Sequence, residues 1–210
     1  AGFRDVTYAV PIEPGKFLEL IDLHDAGVNV GVITSDPGVV DALWRAAAQR
    51  DVAVPVHVEI DCGDARTGVA PEAPGALALC RRVADAAPLR FAGLLTHAGH
   101  SYHAWNPAER ARIAAGARRA VAGLAARLRE EGLRVETVSV GSTPTVKAAA
   151  SFAGVTEIRP GNYLLSDVFQ TTLGTCRVED CAVSVLAAVV DRSRARRAVV
   201  IDAGAIALSK

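Results

Sequence analysis

The chain has 210 residues, half of them hydrophobic, which is enough for one large domain with a buried core or for one and a half domains. Its 23 basic and 23 acidic residues give a formal net charge of zero, so composition favours neither a nucleic-acid partner nor a membrane partner. No apolar run reaches the roughly 18 residues of a membrane-spanning helix, and the opening residues lead us to expect no signal peptide. The four cysteines lack CxxC spacing and are typical of reduced thiols in a cytoplasmic protein.

Apolar runs of β character alternate with helical periodicity along the first three quarters of the chain. Strands are predicted at 5–10, 29–33, 54–61, 91–97, 136–140 and 156–158, and helices at 16–26, 39–50, 71–86 and 107–131. This βαβα order predicts an α/β fold whose parallel sheet is buried on both faces. A closed barrel of this kind needs eight strands, so the count predicts an incomplete barrel. A doubly wound sheet is the alternative, although no glycine-rich first turn of dinucleotide type is present.

The pattern changes after Asp167. Two further strands are predicted at 182–191 and 197–202, with a charged turn and no helix between them. We therefore expect a barrel domain over 1–172 and the start of a separate β domain over 173–210.

Donor-rich turns follow the last two strands of the predicted barrel. They contain Gly141, Ser142, Thr143, Thr145, Arg159, Gly161 and Asn162. Glycines let a ligand approach the main chain, and hydroxyl, amide and guanidinium groups donate hydrogen bonds. Such loops bind phosphate esters in many eight-stranded α/β barrels. From the residues alone, two ordinary strand-to-helix turns are an equal alternative.

Two further motifs follow strands, D-C-G-D-A-R-T-G at 61–68 and T-H-A-G-H-S-Y-H at 96–103. Arg66 either aims a bidentate donor into a cleft or pairs with a nearby carboxylate at the surface. The three histidines of the second motif lack a nearby carboxylate or cysteine to complete a metal site. We therefore favour histidines that form hydrogen bonds with a ligand or with one another. The side chain of Tyr102 either faces a ligand or packs as a half-buried ring.

With these motifs in this order, the sequence resembles the D-serine dehydratase and D-threonine aldolase family. Those enzymes carry pyridoxal phosphate on an alanine-racemase-like TIM barrel that a β domain follows. The resemblance rests on 61–68, 96–102, G-S-T-P-T at 141–145, E-I-R-P-G-N-Y at 157–163 and V-I-D-A-G at 200–204. The second and third of these are more similar to the dehydratase or deaminase branch than to the aldolases.

The resemblance implies roles for individual residues. Thr143, Gly161 and Asn162 would hold the cofactor phosphate, Tyr102 would line the pocket, and Arg66 would bind the phenolic oxygen. Arg159 occupies the position at which alanine racemases place an arginine near the pyridine nitrogen. The implied cofactor-binding set is Arg66, Tyr102, Ser142, Thr143, Arg159, Gly161, Asn162 and Tyr163. His97 and His100 are the implied catalytic candidates on the substrate side.

The implied reaction is β-elimination from a D-amino acid, most of all D-serine, to a 2-oxo acid and ammonia. Retro-aldol cleavage of the D-threonine aldolase type, a non-catalytic pyridoxal-phosphate carrier and an unrelated phosphate-binding barrel remain alternatives. The family's Schiff-base lysine and its zinc or manganese ligands would lie outside residues 1–210. We therefore expect this stretch alone to be inactive and without a metal site. Homodimers that bind neither nucleic acid nor membranes are the further expectation.

Overall fold

The computed structural model describes residues 2–204, which divide into two compact units between Gly161 and Asn162. This division comes before the predicted domain boundary at 172/173, which stays a prediction. Among the described residues, no helix is both long enough and apolar enough to cross a membrane.

A parallel sheet of six strands forms the first unit within the described residues. Its strands are β1 (Asp5–Pro11), β2 (Asn29–Thr34), β3 (Pro55–Glu59), β4 (Arg90–Leu95), β5 (Thr137–Val140) and β6 (Glu157–Ile158), hydrogen-bonded in chain order. A doubly wound sheet reverses its strand order at a switch point. This sheet has no reversal, so it is the curled parallel sheet of an incomplete barrel, as predicted.

The helices follow the strands as the sequence predicted. They are α1 (Phe17–Asp25), α2 (Pro37–Ala48), α3 (Pro74–Asp85), α4 (Pro107–Glu130) and the short α5 (Thr143–Ala148). Asp36 caps α2 by accepting hydrogen bonds from the amides of Gly38 and Val39, at 2.6 and 3.3 Å. Asn106 caps α4 by accepting a hydrogen bond from the amide of Ala108, at 2.8 Å. Both helices begin with proline, whose fixed φ suits the first helical position.

The two faces of the sheet differ in polarity. One face packs against the helices through fully buried apolar side chains, among them Val56, Val58, Leu94, Val138, Leu43, Leu124 and Leu128. The strand register places Glu59, Leu95, Ser139 and Glu157 side by side in one row on the other face. The sheet therefore has an apolar core on its helical side and polar groups on its inner side.

The second unit contains α6 (Val168–Thr172) and an antiparallel hairpin of β7 (Val189–Ser193) and β8 (Ala198–Ile201). β7 begins later than the predicted 182. A strand needs a partner for its backbone groups, and among the described residues the four residues of β8 pair with 189–193 and not with 182–188. The alternation of apolar residues before 189 therefore does not produce a strand here.

Candidate active site

The polar motifs of the first unit all follow the carboxyl ends of parallel strands. Residues 60–73 follow β3, 96–106 follow β4, 141–142 follow β5 and 159–161 follow β6. Because parallel strands end at one edge of the sheet, these loops lie on the same side of it. This is the side on which α/β barrels carry their active sites.

The loop after β3 is shaped by Asp61. Its carboxylate accepts hydrogen bonds from the amides of Gly63 and Ala65, at 2.8 and 3.1 Å. The Arg66 side chain is 63% exposed, and its Nε lies 3.9 Å from Asp64 Oδ2. Arg66 therefore lies beside the partly buried carboxylate of Asp64. Its predicted contact with a cofactor oxygen stays a prediction.

Glu59, at the end of β3, was not identified from the sequence. It is only 3% exposed, and its Oε1 accepts a hydrogen bond from Thr67 Oγ1 at 2.8 Å. Its Oε2 is buried and has no hydrogen-bond partner in the described part of the chain. Burial raises the pKa of Glu59, while the Thr67 hydrogen bond and the charges of Arg66 and Arg159 lower it. A buried carboxyl at this edge therefore has an acceptor available for a ligand.

The loop after β4 carries both candidate catalytic histidines. Burial lowers the pKa of His97, and the charges of Arg159 and Arg66 lower it further. His97 is therefore held as a neutral imidazole. His100 faces a different group, since its Nδ1 lies 3.7 Å from Asp64 Oδ1. A Cβ at Gly99 would lie 2.5 Å from Asp64 Oδ2, so glycine permits this close approach of the two loops.

The remaining members of this loop do not form a metal site. Tyr102 is half-buried and His103 is exposed. Within residues 2–204, no group of three His, Cys, Asp or Glu side chains could hold a metal ion. The three histidines are therefore separate groups and not one ligand set.

The loop after β5 approaches the backbone of the next strand closely. A Cβ at Gly141 would lie 2.8 Å from the carbonyl oxygen of Arg159, so only glycine fits there without movement. The Ser142 hydroxyl is hydrogen-bonded to Ser101 Oγ at 2.9 Å and to Thr145 Oγ1 at 2.7 Å. The predicted hydroxyls of Ser142 and Thr145 are thus already paired with each other and with Ser101.

Thr143 differs from its neighbours. It is 2% exposed, and its Oγ1 is buried without a hydrogen-bond partner among the described residues. A buried hydroxyl without a partner costs about 1–3 kcal/mol. The backbone at Gly161 is also open, because a Cβ added there would have no heavy atom of the described residues within 4 Å apart from its chain neighbours. An available donor and an open backbone fit the phosphate group that the family resemblance implies.

Arg159, directly after β6, is held by its neighbours. Its Nε donates to Ser139 Oγ at 2.7 Å, and its Nη2 donates to the carbonyl oxygen of Thr96. Ser139 in turn donates to Glu157. Burial lowers the pKa of Arg159, and the charges of Glu157 and Glu59 oppose that effect. Ser139 and Glu157 were missed from the sequence, although both occupy inward positions of their strands.

Asn162 and Tyr163 belong to the second unit. Asn162 Nδ2 donates to Asp167 Oδ2 at 2.7 Å, and Tyr163 is 53% exposed. Their predicted role in phosphate binding stays a prediction.

Neither lysine among residues 2–204 lies at a strand end. Lys16 ends a 3-10 turn, with its Nζ 5.9 Å from the centre of the Tyr8 ring. Lys147 is exposed in α5. The lysines in the described part of the chain are therefore not placed for Schiff-base chemistry at this edge.

Comparison with known proteins gives relatives along the whole chain. D-threo-3-hydroxyaspartate dehydratase of Delftia sp. is 36% identical over 211 residues, which cover 100% of this chain and 55% of that protein. D-serine dehydratase of Dictyostelium discoideum is 32% identical over 218 residues, covering 99% of this chain and 55% of that protein. This chain therefore spans about half the length of these curated relatives.

Solved structures show the same fold. The structure of the Delftia dehydratase matches with a TM-score of 0.92 at 34% identity, covering 100% of this chain and 55% of that one. D-threonine aldolase from Filomicrobium marinum matches with a TM-score of 0.79 at 30% identity, covering 97% of this chain and 56% of the other. The family model for the alanine racemase N-terminal domain matches residues 12–167. The chain belongs to the alanine racemase N-terminal domain family.

Proposed function

We propose that the whole protein is a pyridoxal-phosphate-dependent lyase that converts D-amino acids with a β-hydroxyl to a 2-oxo acid and ammonia. The observation that carries this proposal is the buried hydroxyl of Thr143 at the carboxyl edge of the sheet, which has no hydrogen-bond partner among residues 2–204. It stands in a chain that is 36% identical to a D-threo-3-hydroxyaspartate dehydratase. D-Serine and D-3-hydroxyaspartate are the proposed substrates.

The residues around Thr143 would bind the cofactor. Thr143 Oγ1 would donate to the phosphate, and Gly161 would leave its backbone open to the same group. The Ser142 hydroxyl is already hydrogen-bonded, so Ser142 would contribute its backbone amide instead. Arg66, Tyr102, Asn162 and Tyr163 complete the proposed binding set. When bound, pyridoxal phosphate would supply an electron sink for bonds broken at Cα.

Other residues would hold protons and charge. His97 has a lowered pKa, so its imidazole would be neutral and able to accept a proton on the substrate side. His100, beside Asp64, would be the second candidate on that side. Arg159 is fixed by Ser139 and Thr96, so it would present a positive charge in a constant position near the cofactor ring. The substrate-side roles of both histidines are part of this proposal.

Elimination is favoured over retro-aldol cleavage by the likeness to the dehydratase. The TM-score is 0.92 with the Delftia dehydratase and 0.79 with the D-threonine aldolase. We also propose a zinc or manganese ion in the whole protein, a homodimeric state and a cytoplasmic location. Nucleic acids and membranes are not among the proposed partners. Metal analysis and sedimentation of the whole protein test the first two of these points.

The experiment supplies the whole protein with pyridoxal phosphate and offers D-serine, D-threo-3-hydroxyaspartate and D-threonine in turn. We expect a 2-oxo acid and ammonia from the first two substrates. Release of glycine and an aldehyde would instead support the aldolase alternative. The corresponding L-amino acids are the control for stereochemistry. Absence of any product from all three D-amino acids would contradict the proposal.

A further inference from the structure

We propose that Ser101 is a positioning residue whose hydroxyl ties the loop of His97 to the loop of Thr143, and so sets the two sides of the cofactor site. The inference rests on the proposed function. Ser101 lies in the 3-10 turn Gly99–His103, between the two candidate histidines and Tyr102.

The hydroxyls involved form a buried chain. Ser101 is 0% exposed, Ser142 is 1% exposed and Thr145 is 6% exposed. Ser101 Oγ lies 2.9 Å from Ser142 Oγ, which lies 2.7 Å from Thr145 Oγ1. These distances are typical of hydroxyl–hydroxyl hydrogen bonds. These hydrogen-bonded hydroxyls therefore join the loop after β4 to the loop after β5, and all three are buried from water.

The direction of each hydrogen bond follows from the number of protons. Thr145 Oγ1 has one hydrogen, and it donates to the carbonyl oxygen of Ser142 at 3.1 Å. Thr145 Oγ1 must then accept from the Ser142 hydroxyl, which in turn has no hydrogen left for Ser101. The Ser101 hydroxyl is therefore the donor to Ser142. Because each hydroxyl has a fixed role, Ser101 cannot be replaced by a group that only accepts.

The hydrogen-bonded hydroxyls hold the backbone of Ser142, which lies next to the proposed phosphate donor Thr143. Thr143 follows Ser142 directly, and its own hydroxyl has no hydrogen-bond partner within residues 2–204. On the other loop, His97 lies four residues before Ser101, and burial is the largest cause of its lowered pKa. The Ser101 hydrogen bond thus joins the loop of His97 to the residue that precedes Thr143. Loss of the Ser101 hydrogen bond would loosen Thr143 and His97 together.

Packing alone does not account for these hydroxyls. Two buried apolar groups of the same shape can replace a hydrogen-bonded pair with little change in stability. The hydrogen bond between the two serines instead fixes the distance between the loop after β4 and the loop after β5, because it holds the two oxygen atoms at a defined separation. A positioning role therefore predicts effects on the site that exceed the effect on unfolding.

The test compares Ser101→Ala with Ser151→Ala, an exposed serine whose hydroxyl only accepts from the nearby amide of Ala153. Binding of pyridoxamine 5′-phosphate is measured by titration calorimetry, because this amine cannot form a Schiff base with lysine. The pKa of His97 is measured by NMR in the same proteins. We expect Ser101→Ala to weaken binding about threefold to tenfold, the value of one hydrogen bond. We also expect it to move the pKa of His97 upward, as water reaches the imidazole.

Ser151→Ala should change neither quantity. Ser142→Ala removes the same hydrogen bond from the other loop and must shift the pKa of His97 in the same direction, which keeps the test decisive if Ser101→Ala does not fold. Thr143→Val separates the two proposals. If it weakens binding while both serine variants leave binding and the pKa of His97 unchanged, the positioning role is wrong and the proposed function stands. If the unaltered protein does not bind the probe, the proposed function itself fails.

Discussion

Thr143 offers the sharpest test of the site, because one substitution should have opposite effects on stability and on binding. Its hydroxyl is buried and has no hydrogen-bond partner in the part of the chain that the structure describes, and valine has nearly the same shape without the polar atom. The penalty for a buried, unpaired hydroxyl is about 1–3 kcal/mol. Thr143→Val should therefore raise the free energy of unfolding of the unliganded protein by about 1–2 kcal/mol.

Binding should change in the other direction. A hydrogen bond to a charged group contributes about 1.5–3 kcal/mol. Since each 1.4 kcal/mol is about a factor of ten in affinity, Thr143→Val should weaken pyridoxamine 5′-phosphate binding by about tenfold to a hundredfold. Urea denaturation and titration calorimetry on the same preparation measure the two effects.

Thr145 is the matched control, two residues away and also buried. Its hydroxyl donates to the carbonyl oxygen of Ser142 and accepts from the Ser142 hydroxyl. Thr145→Val should therefore lower the free energy of unfolding by about 1 kcal/mol or more. If Thr143→Val destabilised the protein as Thr145→Val does, the Thr143 hydroxyl would have a partner and the argument for a ligand donor would be wrong.

Four further predictions use the same measurements. Gly141→Ala should destabilise the protein by about 1–3 kcal/mol, because its Cβ would lie 2.8 Å from a backbone oxygen. Gly161→Val should change the free energy of unfolding by less than about 0.5 kcal/mol, yet it should weaken the binding of pyridoxamine 5′-phosphate. Glu59 has a raised pKa, so its contribution to stability is present below the ordinary glutamate pKa and is lost as pH rises. Glu59→Gln should therefore be more stable than the unaltered protein at neutral pH and nearly equal to it in acid. Urea denaturation at neutral pH and at a pH below the ordinary glutamate pKa measures the two differences. Arg66→Ala should change unfolding by less than about 1 kcal/mol, since its ion pair is exposed, while calorimetry shows weaker binding; unchanged binding would remove Arg66 from the site.

The position of the candidate site in the fold could be predicted from the sequence, because it depends on the order of elements. Each motif directly follows a predicted strand, and parallel strands that pair in chain order end on one side. The loops carrying Arg66, His97, Thr143 and Arg159 therefore had to follow neighbouring strand ends. The hydrophobic pattern and the strand order therefore place these loops side by side without knowledge of any side-chain contact.

The partners of individual side chains could not be predicted. Ser142, Thr143 and Thr145 are equivalent donors in the sequence, and only the structure distinguishes the paired hydroxyls from the unpaired one. Glu59 and Ser139 are a different case. Each alternates with valine or isoleucine in its strand, in V-H-V-E-I and T-V-S-V, and that period places them on the inner face. The alternation is a usable signal, although the neighbouring valines and isoleucine make each segment similar to a wholly apolar buried strand.

Arg159 connects these unpredicted residues with the predicted ones. Ser139 and the carbonyl of Thr96 fix its guanidinium on the inner side of the sheet. Burial lowers the pKa of His97, and from this position the charge of Arg159 lowers it further. Burial raises the pKa of Glu59, and the Thr67 hydrogen bond and the charges of Arg66 and Arg159 offset only part of that effect. The same fixed cation therefore acts with burial at His97, which favours the neutral imidazole, and against burial at Glu59, whose pKa remains raised.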